Sequence, residues 1–420
     1  MDKRILQAVE ACVKCGICRG VCPVFREEKQ EPFVARGHIA LFAELIKGNI
    51  DFREETSKDY LYKCLLCTTC VEACPNDAPT DMIVEFARYH VIKHHSLPLY
   101  KRVMARVMKS RTLMDLAHRT SGLLSGLLFE RIENAPREAT KVRFTAADSD
   151  KMEVLPPVKS GRSFIQKYKT GSLERATVAI FPGCLINYTY TDVGDAFVKI
   201  LKRLGISFMV PQDQPCCGAP IFASGNLKDA EQLAKRNIEL VEKLNVEKVV
   251  VLEPTCASFM IHEYERLFMY LEQPEWEKRA RKAAEKIIDP VKYLFHFTQI
   301  KSKLNQTRLK TTYHDACHLK RTQKVYMEPR ELIRAASNFT EMKGADVCCG
   351  NGGTFSVDYP ELSKKIASRK VKNIVKTDAD HLIVGCSACM MQLTAALHRE
   401  GFDGIKTMHT LELLAMALEV

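Results

Sequence analysis

The sequence predicts an α+β protein of several domains, in which a helical N-terminal domain precedes two repeated α/β domains with parallel sheets. Two cysteine-rich runs in the N-terminal part flank a segment with helical periodicity. The second half alternates β-rich runs with amphipathic helical segments, and its cysteines recur at matching spacings. We therefore expect four regions, at residues 1–95, 96–175, 176–305 and 306–420.

The composition indicates a soluble protein with metal or redox chemistry. The chain has 420 residues, 46% of them hydrophobic and 27% charged. It has neither an apolar run of ~20 residues nor the features of a secretory signal, so we expect a cytoplasmic protein. Its 17 cysteines then favour metal sites over disulfides. The formal charge of +11 counts cysteines as neutral; metal-bound thiolates would offset part of it, so we expect no nucleic-acid partner.

The N-terminal region contains the same cysteine pattern twice. Both copies read C-x2-C-x2-C-x3-C-P, a ferredoxin run in which three thiolates hold one [4Fe-4S] cubane and the fourth reaches the neighbouring cluster. The pattern assigns four ligands to each of two clusters: cluster A has Cys12, Cys15, Cys18 and Cys74, and cluster B has Cys64, Cys67, Cys70 and Cys22. Zinc ribbons and structural core cysteines are the alternatives, but zinc sites seldom use C-x2-C-x2-C.

The segment between the two runs predicts a helical scaffold for them. "ARGHIALFAELIKG" has helical periodicity, and Gly48 is a plausible helix end. This region resembles the α-helical ferredoxin domain of succinate dehydrogenase and heterodisulfide reductase iron–sulfur subunits. The resemblance implies a domain with two cubane clusters that conducts single electrons.

The region 96–175 has two interpretations. Five apolar residues lie near helical spacing in its basic first part, at Val103, Val107, Leu113, Leu116 and Leu123. In the first interpretation, they form the inner face of a helical hairpin that packs on its own protein. In the second, residues 100–130 contact an anionic membrane or a membrane-bound partner. Residues 136–175 have little periodicity and predict a linker.

The C-terminal half predicts a sheet edge where cysteines converge. Four β-rich runs each end near a cysteine: "ATVAIFPGC" at Cys184, "KVVVLEPTC" at Cys256, "LKTTYHDAC" at Cys317 and "HLIVGCSAC" at Cys386 and Cys389. Helical segments such as "LKDAEQLAKRNIELVEKL" separate them, which indicates βαβ units. Ligands of such sheets bind at the carboxyl ends of the strands.

The cysteine spacing shows that this half is an internal repeat. In the first copy, 31 residues separate Cys184 from the pair Cys216–Cys217, and 38 more lead to Cys256. In the second copy, 30 residues separate Cys317 from the pair Cys348–Cys349, and 36 more lead to Cys386-x2-Cys389. Each pair is followed by a glycine, Gly218 or Gly350, which allows the backbone to turn tightly. The repeat therefore predicts two thiol clusters.

This spacing is the CCG signature, and over nearly its whole length the chain resembles a family of iron–sulfur oxidoreductase subunits. Members include the iron–sulfur subunits of glycolate oxidase, D-lactate dehydrogenases and anaerobic glycerol-3-phosphate dehydrogenase, and the catalytic subunit of membrane-linked heterodisulfide reductase. In the last of these, a five-cysteine set holds a non-cubane [4Fe-4S] cluster at which a disulfide is cleaved. The resemblance implies such a cluster at Cys317, Cys348, Cys349, Cys386 and Cys389.

The first repeat departs from the family pattern. Phe259 stands where the second cysteine of C-x2-C is expected. The remaining four thiolates, Cys184, Cys216, Cys217 and Cys256, suffice for a cubane or a zinc ion, but leave a five-thiolate cluster one ligand short. A merely structural site without metal is the alternative.

Two histidines flank the first cysteine of the second repeat. His314 and His318 are candidates to hydrogen-bond a sulfur or donate a proton, or are simply satisfied within a loop. "CCGNGGTFS" has neither the Rossmann spacing nor a P-loop lysine, and the chain contains no flavin or nicotinamide fingerprint. A partner must therefore supply electrons.

Three functions are compatible with these features. The first is an iron–sulfur subunit of a flavin-dependent dehydrogenase complex, in which an FAD-containing subunit oxidises a 2-hydroxy acid such as lactate or glycolate, or a similar donor. The clusters then carry electrons to quinone or another acceptor, with a quinone-reactive or cytochrome b partner at the inner face of the cell membrane. The second is a heterodisulfide-reductase-type subunit that cleaves a disulfide. The third is a non-catalytic cluster scaffold or redox sensor, which so many candidate ligands disfavour.

Overall fold

The computed structural model describes residues 2–124, 129–131, 140–142, 162–169 and 176–419. Most of the predicted linker 136–175 lies outside the described residues. Its described parts form a strand and a short helix. The strand, β2 (Thr140–Val142), pairs antiparallel with β1 (Phe129–Arg131), and the helix covers Phe164–Lys167.

The N-terminal domain and the segment after it are helical. Residues 2–124 form nine α-helices and no strand. Their bounds are α1 (Lys3–Glu10), α2 (Ile17–Val21), α3 (Pro23–Glu28), α4 (Ala35–Lys47), α5 (Glu55–Tyr62), α6 (Thr69–Glu72), α7 (Thr80–Val91), α8 (Leu99–Lys109) and α9 (Arg111–Leu123). The predicted helix corresponds to α4, which ends at Gly48 with a φ of 78°. Apolar side chains of α4 and α7, among them Phe42 and Phe86, pack edge to face in the core.

The basic segment forms the hairpin of α8 and α9. Ser110 ends α8 and caps α9, because its hydroxyl accepts a hydrogen bond from the Leu113 amide. Lys101 of α8 is buried and forms a 2.6 Å ion pair with Asp358 of the second α/β domain. Leu123 remains 84% exposed. The hairpin is thus anchored on its own protein by polar contacts, while apolar side chains of its outer face remain exposed. None of the helices in the described part of the chain has both the length and the apolar character of a membrane span.

The first α/β domain contains a four-stranded parallel sheet. Its strands are β3 (Val178–Phe181), β4 (Phe208–Met209), β5 (Lys248–Val251) and β6 (Ile287–Ile288), in the order β4-β3-β5-β6. Its helices are α10 (Phe164–Lys167), α11 (Gly183–Tyr188), α12 (Thr191–Arg203), α13 (Ala219–Ala223), α14 (Leu227–Lys243), α15 (Pro254–Ser258), α16 (Tyr264–Tyr270), α17 (Pro274–Ala284) and α18 (Pro290–Phe297). All four residues of β3 are buried, as expected for a strand covered on both faces.

The second α/β domain repeats this topology. Its strands are β7 (Lys310–His314), β8 (Asn338–Phe339), β9 (His381–Val384) and β10 (Lys406–His409), in the order β8-β7-β9-β10. Its helices are α19 (Met327–Ala336), α20 (Phe355–Asp358), α21 (Pro360–Val375), α22 (Ser387–Arg399) and α23 (Thr410–Ala417). The predicted fold class is confirmed: a helical cysteine-rich domain precedes two α/β repeats with parallel sheets.

The strand order explains where the cysteines gather. In each sheet the chain passes from the first strand to one neighbour and then crosses to the other side, so the topological switch lies between β3 and β5, and between β7 and β9. Cys184 and Cys256 follow the carboxyl ends of β3 and β5. Cys317 and Cys386 follow those of β7 and β9. The cysteines therefore lie at the crevice where parallel sheets bind ligands.

Candidate metal centres

The two N-terminal cysteine loops share one backbone conformation. In the first loop Lys14 and Gly16 have positive φ angles of 59° and 87°. In the second loop Leu66 and Thr68, at the corresponding positions, have φ angles of 52° and 55°. Left-handed φ at a leucine and a β-branched threonine is unfavourable, so the surrounding structure must impose it. Alternating left-handed residues turn backbone amides toward one point, where they bind anionic groups.

Each loop closes on a cavity lined by the thiols that are expected to hold its cluster. One cavity is lined by Cys22, Cys64, Cys67 and Cys70, which is the set expected for cluster B. The other is lined by the cluster A set, Cys12, Cys15, Cys18 and Cys74, and also by Cys70. The fourth cysteine of each run thus lies with the other run's first three cysteines.

Backbone amides are directed at several of these sulfurs. The Phe25 amide donates to the Cys22 Sγ at 3.4 Å, and the Ala78 amide donates to the Cys74 Sγ at 3.4 Å. Burial raises the pKa of Cys22 to about 12, with nearby cysteines adding to the effect. Burial likewise raises the pKa of Cys64 to about 11. A bound cation would reverse this effect, because metal ligation requires the thiolate.

The four cysteines of the first α/β repeat form one connected set. Cys184 and Cys216 shift each other's pKa, as do Cys216 and Cys217, and Cys217 and Cys256, so the four thiols lie close together. Bonds from Cys184 and Cys217 hold the pKa of Cys216 well below its ordinary value. The Phe259 ring, 3% exposed, approaches to 3.5 Å of where a Cβ on Gly218 would lie. This ring fills the region beside the cysteine pair that a fifth cysteine would otherwise enter.

The five cysteines of the second repeat are also connected. Cys317 and Cys349 both shift the pKa of Cys348, and Cys349 and Cys386 both shift the pKa of Cys389, so the five thiols lie close together. The Cys349 and Cys389 sulfurs are 3.4 Å apart. Gly350 has a φ of 91°, so the turn after the cysteine pair adopts the conformation that favours glycine.

The two histidines contact different cysteines. The His318 Nδ1 lies 3.6 Å from the Cys317 Sγ and 3.5 Å from the Thr255 hydroxyl of the first repeat. His314 instead groups with Cys349 and Cys389, with one ligand atom from each within 4.8 Å of the others. Burial lowers the pKa of His314, so its neutral ring is available as a ligand or a hydrogen-bond partner. The sequence placed His314 beside Cys317, whereas the fold directs it to the other side of the set.

The cysteine sets of different domains lie against one another. Cys67 and Cys348 shift each other's pKa, so the cluster B set lies beside the second-repeat set. Both residues belong to a small apolar core that includes Phe33, Phe355 and Leu65. A side chain on Gly352 would come within 2.5 Å of Leu65. The glycine therefore permits the close approach of the two domains.

The two repeats also meet beside their cysteines. Buried Glu253, two residues after the end of β5, accepts a 3.2 Å hydrogen bond from the Ser387 amide next to Cys386. Burial raises the pKa of Glu253 to about 7. Sequence reasoning missed this residue, although its position at the carboxyl end of a buried strand was a usable signal.

Arg88 is a further residue that sequence reasoning missed. Its guanidinium donates to the carbonyl oxygens of Leu61 and Cys64, at 2.9 and 2.7 Å, and to that of Ala223 in the first repeat at 2.9 Å. It thus fixes the entry to the second cysteine loop and attaches that loop to the neighbouring domain. No local pattern marks such a residue, because its partners are backbone carbonyls of distant segments.

The donor sets fit iron–sulfur clusters. All 17 cysteines are free thiols. They fall into three sets of four and one of five, and backbone amides point at their sulfurs, as in iron–sulfur proteins. Soft thiolate sets of this kind select iron–sulfur clusters or zinc over hard cations.

Comparison with known families agrees with this chemistry. Residues 8–78 match the 4Fe-4S dicluster domain, and residues 178–261 and 311–394 each match the cysteine-rich domain called CCG. These matches support iron–sulfur clusters in the chain.

The relatives include two proteins named as oxidoreductase subunits. The chain is 30% identical to the probable glycolate oxidase iron-sulfur subunit of Bacillus subtilis (strain 168), over 97% of this chain and 93% of that protein. It is 26% identical to one of the subunits of the fumarate reductase (CoM/CoB) of Methanothermobacter marburgensis, over 99% and 74%. It is 34% identical to lactate utilization protein A of Halalkalibacterium halodurans, over 56% and 96%.

One solved structure shares the fold. A hypothetical protein from Helicobacter pylori superposes with a TM-score of 0.55 at 10% identity, covering 100% of this chain and 73% of that one. At this identity the likeness concerns the fold alone.

Proposed function

The chain belongs to the CCG-domain iron–sulfur oxidoreductase subunits, and on that premise we propose that it relays single electrons from a flavoprotein partner that oxidises a 2-hydroxy acid such as lactate or glycolate. The proposed acceptor is a quinone or another carrier. The observation that carries the relay is that Cys67 and Cys348 are buried in the same small apolar core.

Iron–sulfur clusters supply one-electron redox chemistry when bound at these thiols. The chain's own residues position the ligand sulfurs and keep water away from them. The amides of Phe25, Leu66 and Ala78 point at ligand sulfurs, at distances of 3.4 to 3.5 Å. Such bonds favour the more negative, reduced state. Burial of Cys67 and Cys348 excludes water from the junction between the two sets.

We assign cubane clusters to the A and B sets and a non-cubane [4Fe-4S] cluster to the five-cysteine set. A fourth cluster or a zinc ion is assigned to the first repeat, which has four thiols and Phe259 in place of a fifth. Iron and sulfide analysis of anaerobically purified protein tests this assignment. About sixteen irons per chain support a fourth tetranuclear cluster, and about twelve contradict it.

The relay is tested on the native complex purified anaerobically with its partner. We expect lactate or glycolate to reduce the clusters and an artificial dye. Cys348→Ser should stop the dye reduction that depends on electron transfer past cluster B, while the spectra of clusters A and B persist. Failure of every hydroxy acid to reduce the clusters would contradict the proposed donor.

A second candidate function is disulfide cleavage at the five-cysteine set. One observation favours it: Cys317 is partly exposed, and the His318 Nδ1 lies within hydrogen-bonding distance of its sulfur, at 3.6 Å. The same preparation distinguishes the two functions. Reoxidation of reduced protein by disulfides, without any hydroxy-acid activity, would reverse our preference.

A further inference from the structure

Arg321 is a buried arginine at the junction of the N-terminal domain and the second α/β repeat. It lies in the π-helical segment His318–Thr322, four residues after Cys317. Its side chain is 2% exposed. π-helical turns of this kind often occur at functional sites.

Two of its three nitrogens bind both sides of the junction. The Arg321 Nε donates to the Glu72 carboxylate at 3.0 Å, and Glu72 lies between Cys70 and Cys74. The Arg321 Nη2 donates to the Asp346 carbonyl oxygen at 2.6 Å, two residues before Cys348. The guanidinium therefore joins the cysteine-bearing segments of the two domains.

The third nitrogen has no such partner. The Arg321 Nη1 is buried and lacks a hydrogen-bond acceptor among the residues that the structure describes. Burial acts against the charge of Arg321, but Cys67 and Cys317, then Asp346 and Glu72, raise its pKa overall. The guanidinium thus lies between cysteine-bearing segments of the two domains, and one of its nitrogens has no acceptor among the described residues.

We propose that Arg321 is a positioning residue for electron transfer between the cluster B set and the second-repeat set, and that its Nη1 donates to sulfur when iron–sulfur clusters are bound there. The inference rests on the proposed relay and adds a residue to it. In each transfer one electron leaves the cluster B set and one arrives at the second-repeat set. Arg321 keeps its proton, and no covalent bond forms or breaks.

The residue type fits this role. A fixed positive charge and an N–H···S bond stabilise the reduced state, which is more negative, and so raise the reduction potential. Arginine presents donors in a planar fork, whereas lysine has one flexible ammonium. The rigid fork fixes the direction of the third donor while the other two hold Glu72 and Asp346, whereas the donors of a lysine ammonium rotate freely.

The test uses the full chain, loaded and handled without oxygen. Arg321→Gln and Arg321→Lys are compared with Arg369→Gln, which removes another bridge between the same two domains, the 2.7 Å ion pair of Arg369 with Glu27. Iron content and thermal unfolding are measured first. Redox titration followed by electron paramagnetic resonance then gives the potentials, and photoreduction gives the rate of internal transfer.

We expect Arg321→Gln to disfavour reduction of both adjacent clusters at least tenfold, a downward shift of 59 mV for a one-electron couple. Arg321→Lys keeps the positive charge, so it should lower the reduction potentials less than Arg321→Gln does, but it should still slow internal electron transfer. Arg369→Gln should change neither the potentials nor the rate. Where Arg321→Gln does not fold, Arg321→Lys decides, because wild-type potentials and rate in that variant would overturn the proposal.

Different results would refute the relay and the role of Arg321. Wild-type protein without a redox-active centre at the second-repeat cysteines would refute the relay itself. Normal potentials and rate in a fully loaded Arg321→Gln protein would refute only the role of Arg321. An equal effect of Arg369→Gln would also refute it, because the effect would then come from general loosening of the interface.

Discussion

Replacing Gly350 by alanine tests the close packing behind the second-repeat cysteine pair. Gly350 has a φ of 91°, and an added Cβ would lie 2.8 Å from the Ser363 carbonyl oxygen. Gly218 occupies the same position in the first repeat, with a φ of 93°, but its Cβ would be no closer than 3.4 Å to a Leu233 side-chain atom. The two glycines are thus a matched pair that differs in the surrounding space.

The expected costs follow from these distances. Left-handed φ costs alanine about 1–2 kcal/mol at both positions. Only Gly350→Ala adds a clash with backbone, and overpacking of this kind costs about 1–3 kcal/mol. The Ser363 hydroxyl also donates to the Gly350 carbonyl at 2.8 Å, so the two segments cannot separate freely. We expect losses of about 2–5 kcal/mol for Gly350→Ala and about 1–2 kcal/mol for Gly218→Ala.

The assay is anaerobic urea unfolding of both variants, with iron content as a second measurement. Gly350→Ala should have the lower unfolding midpoint and should lose iron from the five-cysteine set, while Gly218→Ala stays near wild type in iron content. Equal losses in the two variants would refute the reasoning, because the clash would then contribute nothing.

Three further predictions concern other parts of the molecule. Cys15→Ser should remove the cluster A signal and slow electron transfer while leaving the spectra of the α/β repeats intact; an unchanged rate would mean that electrons bypass cluster A. Phe259→Cys should alter the spectrum of the first repeat by adding a fifth thiol, and lower stability by about 3 kcal/mol because the buried ring is lost; an unchanged spectrum in folded protein would argue against a metal near that position. Burial raises the pKa of Glu85 to about 7, so its contribution to stability is complete below its unfolded pKa near 4.5 and is lost as the pH rises toward 7. Glutamine at position 85 can still accept the hydrogen bond from Tyr270. In urea unfolding between pH 4.5 and 7, the free energy of unfolding should therefore change less with pH for Glu85→Gln than for the exposed control Glu275→Gln. An equal pH dependence in the two variants would contradict the shifted pKa.

Local patterns predicted individual elements well. The periodicity of "ARGHIALFAELIKG" and the glycine after it correspond to α4 and its left-handed end. The runs of β-branched residues before Cys184, Cys256 and Cys317 correspond to buried parallel strands. These features are encoded locally, since strand burial and helix termination depend on neighbouring residues.

Contacts between domains could not be predicted in this way. Tyr62 donates to the Ser224 carbonyl, and Arg266 forms a 2.6 Å ion pair with Asp81 across the interface with the first repeat. Each pair joins residues more than 150 positions apart, and no periodicity or motif relates them. The predicted domain boundaries and the cluster assignments stay predictions that metal analysis must test.

By itself, the sequence determined which side chains are the candidate ligands: 17 thiols, arranged in a doubled ferredoxin run and a doubled CCG repeat. It also determined the strands that carry them, because residue type and spacing act over short distances. Only the tertiary structure decided that Cys67 packs in one core with Cys348, and that Arg321 joins their two domains while its Nη1 has no acceptor among the described residues. Those placements depend on how the surfaces of separately folded domains fit together, which no short stretch of chain encodes.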